Sequence, residues 1–179
     1  LAGALFLGKR KKISHNPTNV PYVILGTGLL WFGWFGFNAG SALGANSDAV
    51  IAFANTNIAS ATAMITWIFY ERMLGRKMSA VGACIGAVVG LVAITPAAGF
   101  VNIGQSMFIG FIAAIISNLA IHLKNKTEID DTLDVFPSHG VGGIVGMLLT
   151  AVFASEVGLI YGKTSTFFFH ILGLLIVSV

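Results

Sequence analysis

The chain is 179 residues long, 56% hydrophobic and only 9% charged, with a formal net charge of +3 and a mean hydropathy of +0.87. That balance excludes a soluble globular domain. The basic excess does not point to nucleic acid either, because Lys and Arg are gathered in short segments between apolar runs, where membrane topology accounts for them.

In chain order, the opening LAGALFLG is too short to cross a bilayer and reads as the end of an incomplete helix near Gly8. Further spans are predicted at residues 20–43, 49–70, 79–95, 106–123 and 132–154, with a truncated one from Thr166. Both ends read as cut, so no leader peptide can be judged. Helices are the expected class, since open sheets cannot satisfy their backbone in lipid and the two-residue alternation of a membrane barrel is absent.

Loop charges give an independent check. Segments 9–19, 71–78 and 124–131 hold nine of the ten Lys and Arg, segments 44–48 and 96–105 hold none, and 155–165 holds only Lys163. Basic residues collect on the cytoplasmic side, so this alternation places the Lys9–Lys12 end inside and the 40–48 and 96–105 loops outside.

On the first full span Leu30, Trp34, Phe37, Asn38 and Ser41 recur at spacings of three and four and share one helical face. Two readings stay open: an interfacial aromatic belt with packing neighbours, or a cation site combining aromatic faces with the Ser41 hydroxyl. Asn55, Thr56 and Asn57 lie in the next span and are expected to bond to neighbouring helices, with one of them able to border a pore. Gly82, Gly86 and Gly90 sit four apart and predict a close helix–helix contact. Cys84, the only cysteine, lies in the same apolar run, so no disulfide framework or cysteine metal site is available. Thr95-Pro96 ends that span.

The most demanding residue is His139, an ionisable side chain entering an apolar segment, where such groups usually face a protein interior or a permeation path. Gly142, Gly143 and Gly146 leave its face bare, for either tight packing or a narrow space. Asp130, Asp131 and Asp134 precede it and suit the helix N-terminus. Asp134 lies about 140° around the helix from His139, too far to be its direct partner. His15 sits in a basic loop, His122 at a helix end, and His170 in the last span without a visible partner. No metalloprotease, Walker or nucleophile-elbow motif is present, so no enzyme and no cofactor is expected.

Two stretches, LWFGWFGFNAGSALGAN at 30–46 and DDTLDVFPSHGVGGIVGMLLTAVFA at 130–154, strongly resemble the ammonium transporter (Amt/methylammonium permease) family, and the likeness extends to AFANT at 52–56 and GLVAITPAAG at 90–99. The resemblance implies an all-α membrane protein of eleven helices in two inverted halves, of which residues 1–179 form one partial transmembrane domain, from the end of helix five to the start of helix eleven. It implies a homotrimer in the cytoplasmic membrane with one pore per subunit.

By motif position the resemblance makes His139 the second of a twin-histidine pair, Phe37 one of two gate phenylalanines, Ser41 the vestibule serine that hydrogen-bonds ammonium, and Trp34 and Leu30 pore-wall residues. Asn38, Asp134 and Asn55 remain structural or pore-adjacent. Pro137 and Ser138 depart from the residues other members carry and are expected to adjust helix geometry. The implied function is ammonium or ammonia passage after recruitment and deprotonation. The alternatives are an ammonium sensor on the same fold and a non-conducting regulatory subunit. A PII-type regulatory partner is implied by the resemblance alone.

Overall fold

The computed structural model describes residues 1–11 and 19–178, and His15 therefore lies outside the described residues. Its helices are α1 (Ala2–Leu7), α2 (Val20–Ala39, continued by a 3-10 turn Gly40–Ala42), α3 (Ser47–Met73), α4 (Ala80–Ile94), α5 (Ile103–Lys124), α6 (Gly142–Phe153, entered through a π-helical turn Phe136–Val141) and α7 (Thr164–Ser178). Among the described residues no strand is found. Among the described residues four helices are long and apolar enough to cross a membrane: Val20–Ala42, Ser47–Met73, Ile103–Lys124 and Phe136–Phe153. Ala80–Ile94, at 15 residues, is apolar but shorter than the predicted 79–95 span, and the apolar Thr164–Ser178 begins two residues before the predicted truncated span.

The helix starts follow from local chemistry. The side chains of Asn19, Asn46, Ser79 and Asn102 each accept a backbone N–H from the first turn of α2, α3, α4 and α5, and Asn102 with Gln105 forms a complete capping box. Such caps contribute about 1 kcal/mol each. One predicted boundary moves: the His139 segment begins at Phe136 rather than at 132, because Asp134 takes a left-handed φ of 51° and the Asp131 carboxylate accepts the Phe136 N–H at 2.6 Å.

α3 is the hub and packs most extensively against α4 and α5. The expected glycine contact forms here. A Cβ on Gly86 would lie 2.6 Å from the Trp67 Cβ, and one on Gly90 would lie 2.6 Å from the Ala59 carbonyl oxygen and the Ser60 Cα. From the other side, a Cβ on Gly110 of α5 would meet the same Ala59 backbone, with its carbonyl carbon at 3.0 Å. Ala59 is thus clasped between two glycines. Of the polar trio expected to bond to neighbouring helices, Thr56 Oγ1 accepts from Asn38 of α2 at 2.9 Å, Asn55 Nδ2 donates to the loop carbonyls of Ala98 and Val101 at 2.9 and 2.7 Å, and Asn57 is exposed; Ser60 Oγ also donates to the Ala87 carbonyl of α4 at 2.9 Å.

Large apolar side chains point outward instead of inward, among them Phe6, Phe32, Phe69, Phe168 and Ile176, which suits a lipid surround. The basic loops meet at one end of the bundle, where Arg10 reaches Asp130, Arg76 reaches Asn118 and Lys124 reaches Asp134. At the opposite end the Ser155 N–H donates to the Phe100 carbonyl at 2.8 Å. The two ends are called inner and outer below, following the loop charges.

Replacing Gly90 by Ala should lower stability by about 1–3 kcal/mol, because the new methyl meets backbone that cannot yield. Gly99→Ala, where a Cβ would have no neighbour within 4 Å, should be close to neutral. Thermal unfolding in detergent of the two variants beside the parent measures the difference.

Candidate functional site

The predicted residues of α2 do line open space, and they do so in sequence along the helix. Phe37, Asn38 and Ser41 border an outer groove of about 630 Å³ with Asp48, Thr95 and Phe100. Trp34 borders a central, largely apolar groove of about 750 Å³ together with Thr95, Phe136, His139, Gly140 and Gly143. Leu30 and Thr27 border a smaller inner recess of about 180 Å³, which His139 also lines. His139 therefore stands between the central groove and the inner recess, and Thr95 between the central and outer grooves.

Local bonding explains how these side chains are held. The Trp34 Nε1 donates to Thr95 Oγ1 at 2.8 Å, and Thr95 Oγ1 donates to the Leu91 carbonyl at 2.8 Å. Trp34 is thus tied into the bundle through Thr95. Its ring meets Phe37 edge-on, with centroids 5.7 Å apart. Asn38 is buried, and its Nδ2 donates to Thr56 Oγ1 at 2.9 Å, which in turn donates to the Ala52 carbonyl. Asn38 therefore both pins α2 to α3 and borders the outer groove. The exposed Ser41 hydroxyl donates to the Phe37 carbonyl at 2.8 Å. Its proton is thereby engaged and its lone pairs are left facing the groove as acceptors.

His139 lies on the π-helical turn with its side chain exposed to the groove, and its ring finds no hydrogen-bond partner among the described residues. The bare glycine face beside it serves both of its expected uses. A Cβ on Gly146 would strike the Ala93 backbone, so α6 packs tightly on α4 there. Gly143 is open by comparison and lines the central groove.

Not every candidate joins this line. Asn55 is fully buried and holds the outer loop through its two carbonyl contacts, a structural role. Asp134 pairs with Lys124 at the inner end of α5 and is not directed at His139. His170 is not without a partner: its Nδ1 donates to the Thr166 carbonyl one turn back, at 2.8 Å. No group of three or more His, Cys, Asp or Glu able to hold a metal occurs among the described residues.

Sequence reasoning missed three contributors. Thr95, expected only as a helix end, borders both the central and the outer groove. Phe136 was treated as part of a motif, without a role of its own. Arg10 was counted only as loop charge, yet its N–H and Nε donate to Asp130 Oδ2 at 2.9 and 2.7 Å and its Nη2 to Oδ1 at 2.8 Å. These bonds hold the Asp130 carboxyl down at about 2, chiefly through the Arg10 side chain and then its backbone N–H, and the same pairing raises the Arg10 guanidinium. The segment after α1 is thus fastened to the loop that precedes the His139 turn.

An all-helical bundle with four helices long and apolar enough to cross a membrane among the described residues defines the class as that of multi-span integral membrane proteins. The chain belongs to the ammonium transporter family, whose model, described as "Ammonium Transporter Family", matches residues 1–179. It is 52% identical over 181 residues to the ammonium transporter of Aquifex aeolicus, covering 98% of this chain and 43% of that protein. A putative ammonium transporter of Methanothermobacter thermautotrophicus is 47% identical over 188 residues, covering 100% of this chain and 46% of that protein.

Among solved structures, Candida albicans Mep2 superposes with a TM-score of 0.91 at 38% identity, covering 98% of this chain and 43% of that one. A protein titled "Sensor Amt Protein" superposes at 0.80 and 30% identity, covering 98% and 50%. The chain thus spans about half the length of its relatives or less.

The Arg10–Asp130 pair yields a pH expectation. With the folded carboxyl lowered from 3.8 to about 2, its contribution is complete above the ordinary carboxylate value and is lost as pH falls through about 2. Asp130→Asn should therefore reduce hydrogen-exchange protection of the 131–138 amides at neutral pH, and the parent should approach the variant only as pH drops toward the folded value.

Proposed function

We propose that the protein to which this chain belongs carries ammonium or ammonia across the cytoplasmic membrane, along the α2 face that runs from Ser41 to Leu30. The observation that carries this is the order of the side chains on that face: acceptor and aromatic groups at the outer mouth, Trp34 in the middle, then His139 at depth. At the mouth, ammonium meets the Phe37 ring, whose face attracts a small cation, and the free lone pairs of Ser41, with the Trp34 ring following in the central groove. Further in, the walls are apolar, which disfavours a bare ion and favours loss of a proton before ammonia proceeds.

At His139 the imidazole can donate from one nitrogen and accept at the other, and so guide ammonia or relay a proton. A second histidine facing it, forming the twin pair, belongs to this proposal, as do assembly into trimers and any PII-type partner. The similarity to a protein titled as a sensor supports a second reading, in which the same groove binds ammonium chiefly to signal.

Ammonium-evoked current through the complete protein in proteoliposomes tests the proposal. His139→Ala should abolish the current or its selectivity; an unchanged current would sink the assigned role. Ser41→Ala should raise the half-saturating ammonium concentration about tenfold, as expected for losing one hydrogen bond to a charged group. Binding without measurable flux in the parent protein would favour the sensor.

A further inference from the structure

Phe136 opens the π-helical turn and borders the same groove as His139, yet nothing described above gives it a task. Its position is unusually determined. The backbone N–H is held by Asp131 Oδ2 at 2.6 Å. The ring lies against the bare Cα of Gly140: a Cβ built there would stand 2.9 Å from the Phe136 Cδ2, 3.2 Å from Cε2 and 3.7 Å from Cγ. Any larger residue at 140 would have to push the ring aside. The next residues fix the opposite face, because Pro137 and Ser138 are buried and the Ser138 hydroxyl donates to the Asp134 carbonyl. With 137 and 138 turned into the protein, 136, 139 and 140 are presented together to the groove.

Phe136–Val141 is a π-helical turn. It holds more residues per turn than an α-helix and occurs mainly as a single inserted turn, often at functional positions. Phe136, His139 and Gly140 lie within this turn and border one groove, with Gly140 as the seat for the ring.

We propose that Phe136 is a specificity-determining residue: its ring, seated on Gly140, sets the free width of the passage beside His139 and so discriminates ammonia from its methylated analogue. The inference rests on the conduction proposed above. A rigid ring flanking the deepest polar group acts at the point where the permeant is smallest and least hydrated, so a single methyl group meets the wall there. The Gly140 seat prevents the ring from backing away, because it already touches the helix backbone.

Methylammonium and ammonium fluxes through the complete protein in proteoliposomes test this, with the ratio of the two as the readout. Phe136→Ala should raise the methylammonium-to-ammonium ratio about tenfold, the discrimination one methyl-sized group usually carries, and Phe136→Leu should give a smaller rise. Gly140→Ala should lower both fluxes by driving the ring into the groove, and adding Phe136→Ala to it should restore them. A ratio unchanged in both Phe136 variants, with flux intact, overturns the proposal. The two ideas fail separately: if His139→Ala leaves flux unaltered the conduction assignment falls, whereas if it abolishes flux and Phe136→Ala leaves the ratio unchanged only the selectivity role falls. Should Phe136→Ala elute as an aggregate, Phe136→Leu alone decides, and an unchanged ratio there counts against the ring.

Discussion

Everything in this bundle depends on the close approach of α3 to the helices on either side of it. Lipid tails are as apolar as leucine, so helices in a membrane gain little by hiding apolar surface from their solvent and must cohere through van der Waals contact and hydrogen bonds. The Ala59 backbone, clasped between Gly90 and Gly110, provides the first. Ser60 and Asn55, donating to carbonyls of α4 and of the loop after it, provide the second. Because α4 is held this firmly, its far end places Val92 and Thr95 at fixed positions on the groove wall. Gly146 then lets α6 settle against Ala93, which carries the His139 turn to the same wall.

α2 is held differently, and the difference bears on function. It contributes a single buried residue, Asn38, and its attachment relies on a few specific contacts: Asn38 to Thr56, Trp34 to Thr95, and the Phe35 ring stacked on Phe53 with centroids 4.0 Å apart. Two of these three anchors also border the grooves. Polar groups at membrane depth must find partners, so the side chains that fasten α2 also decide which donors and acceptors remain for a permeant. Trp34 has spent its only N–H on Thr95 and offers the groove an aromatic face, whereas Ser41 has spent its proton and offers lone pairs. The mouth is therefore built from acceptors and π-faces, a combination suited to a small hydrogen-bonding cation.

Much of this was legible in the sequence because it is written in local spacing. The four-residue glycine repeat on α4, the three-and-four spacing of the α2 face and the alternating loop charges each report a property of one helix or one loop. The bond that ties Trp34 to Thr95 joins positions 61 apart, the Arg10–Asp130 attachment spans 120 positions, and neither has a local signature. The start of the His139 segment was placed too early because aspartates were read as the first turn of a helix. In the structure Asp134 reverses the backbone, and the cap comes from Asp131 instead. The π-turn was equally hidden, since Pro137 and the glycines after it are compatible with an α-helix or with a break.

The exposure of His139 carries a final consequence. A neutral imidazole has one donor and one acceptor, and leaving either unmet in an apolar setting is costly. His139 has no partner for either among the described residues, and its groove neighbours are mostly apolar. Hydrocarbon could not relieve that cost, so the wall on which His139 stands is unsuited to face lipid. It calls for a facing surface that supplies a polar group, or for a file of small hydrogen-bonding molecules passing along it. On the proposed conduction reading the imidazole stands on one side of an enclosed path, whereas the outward-pointing rings of Phe32, Phe69 and Phe168 border none of these grooves and have no such need.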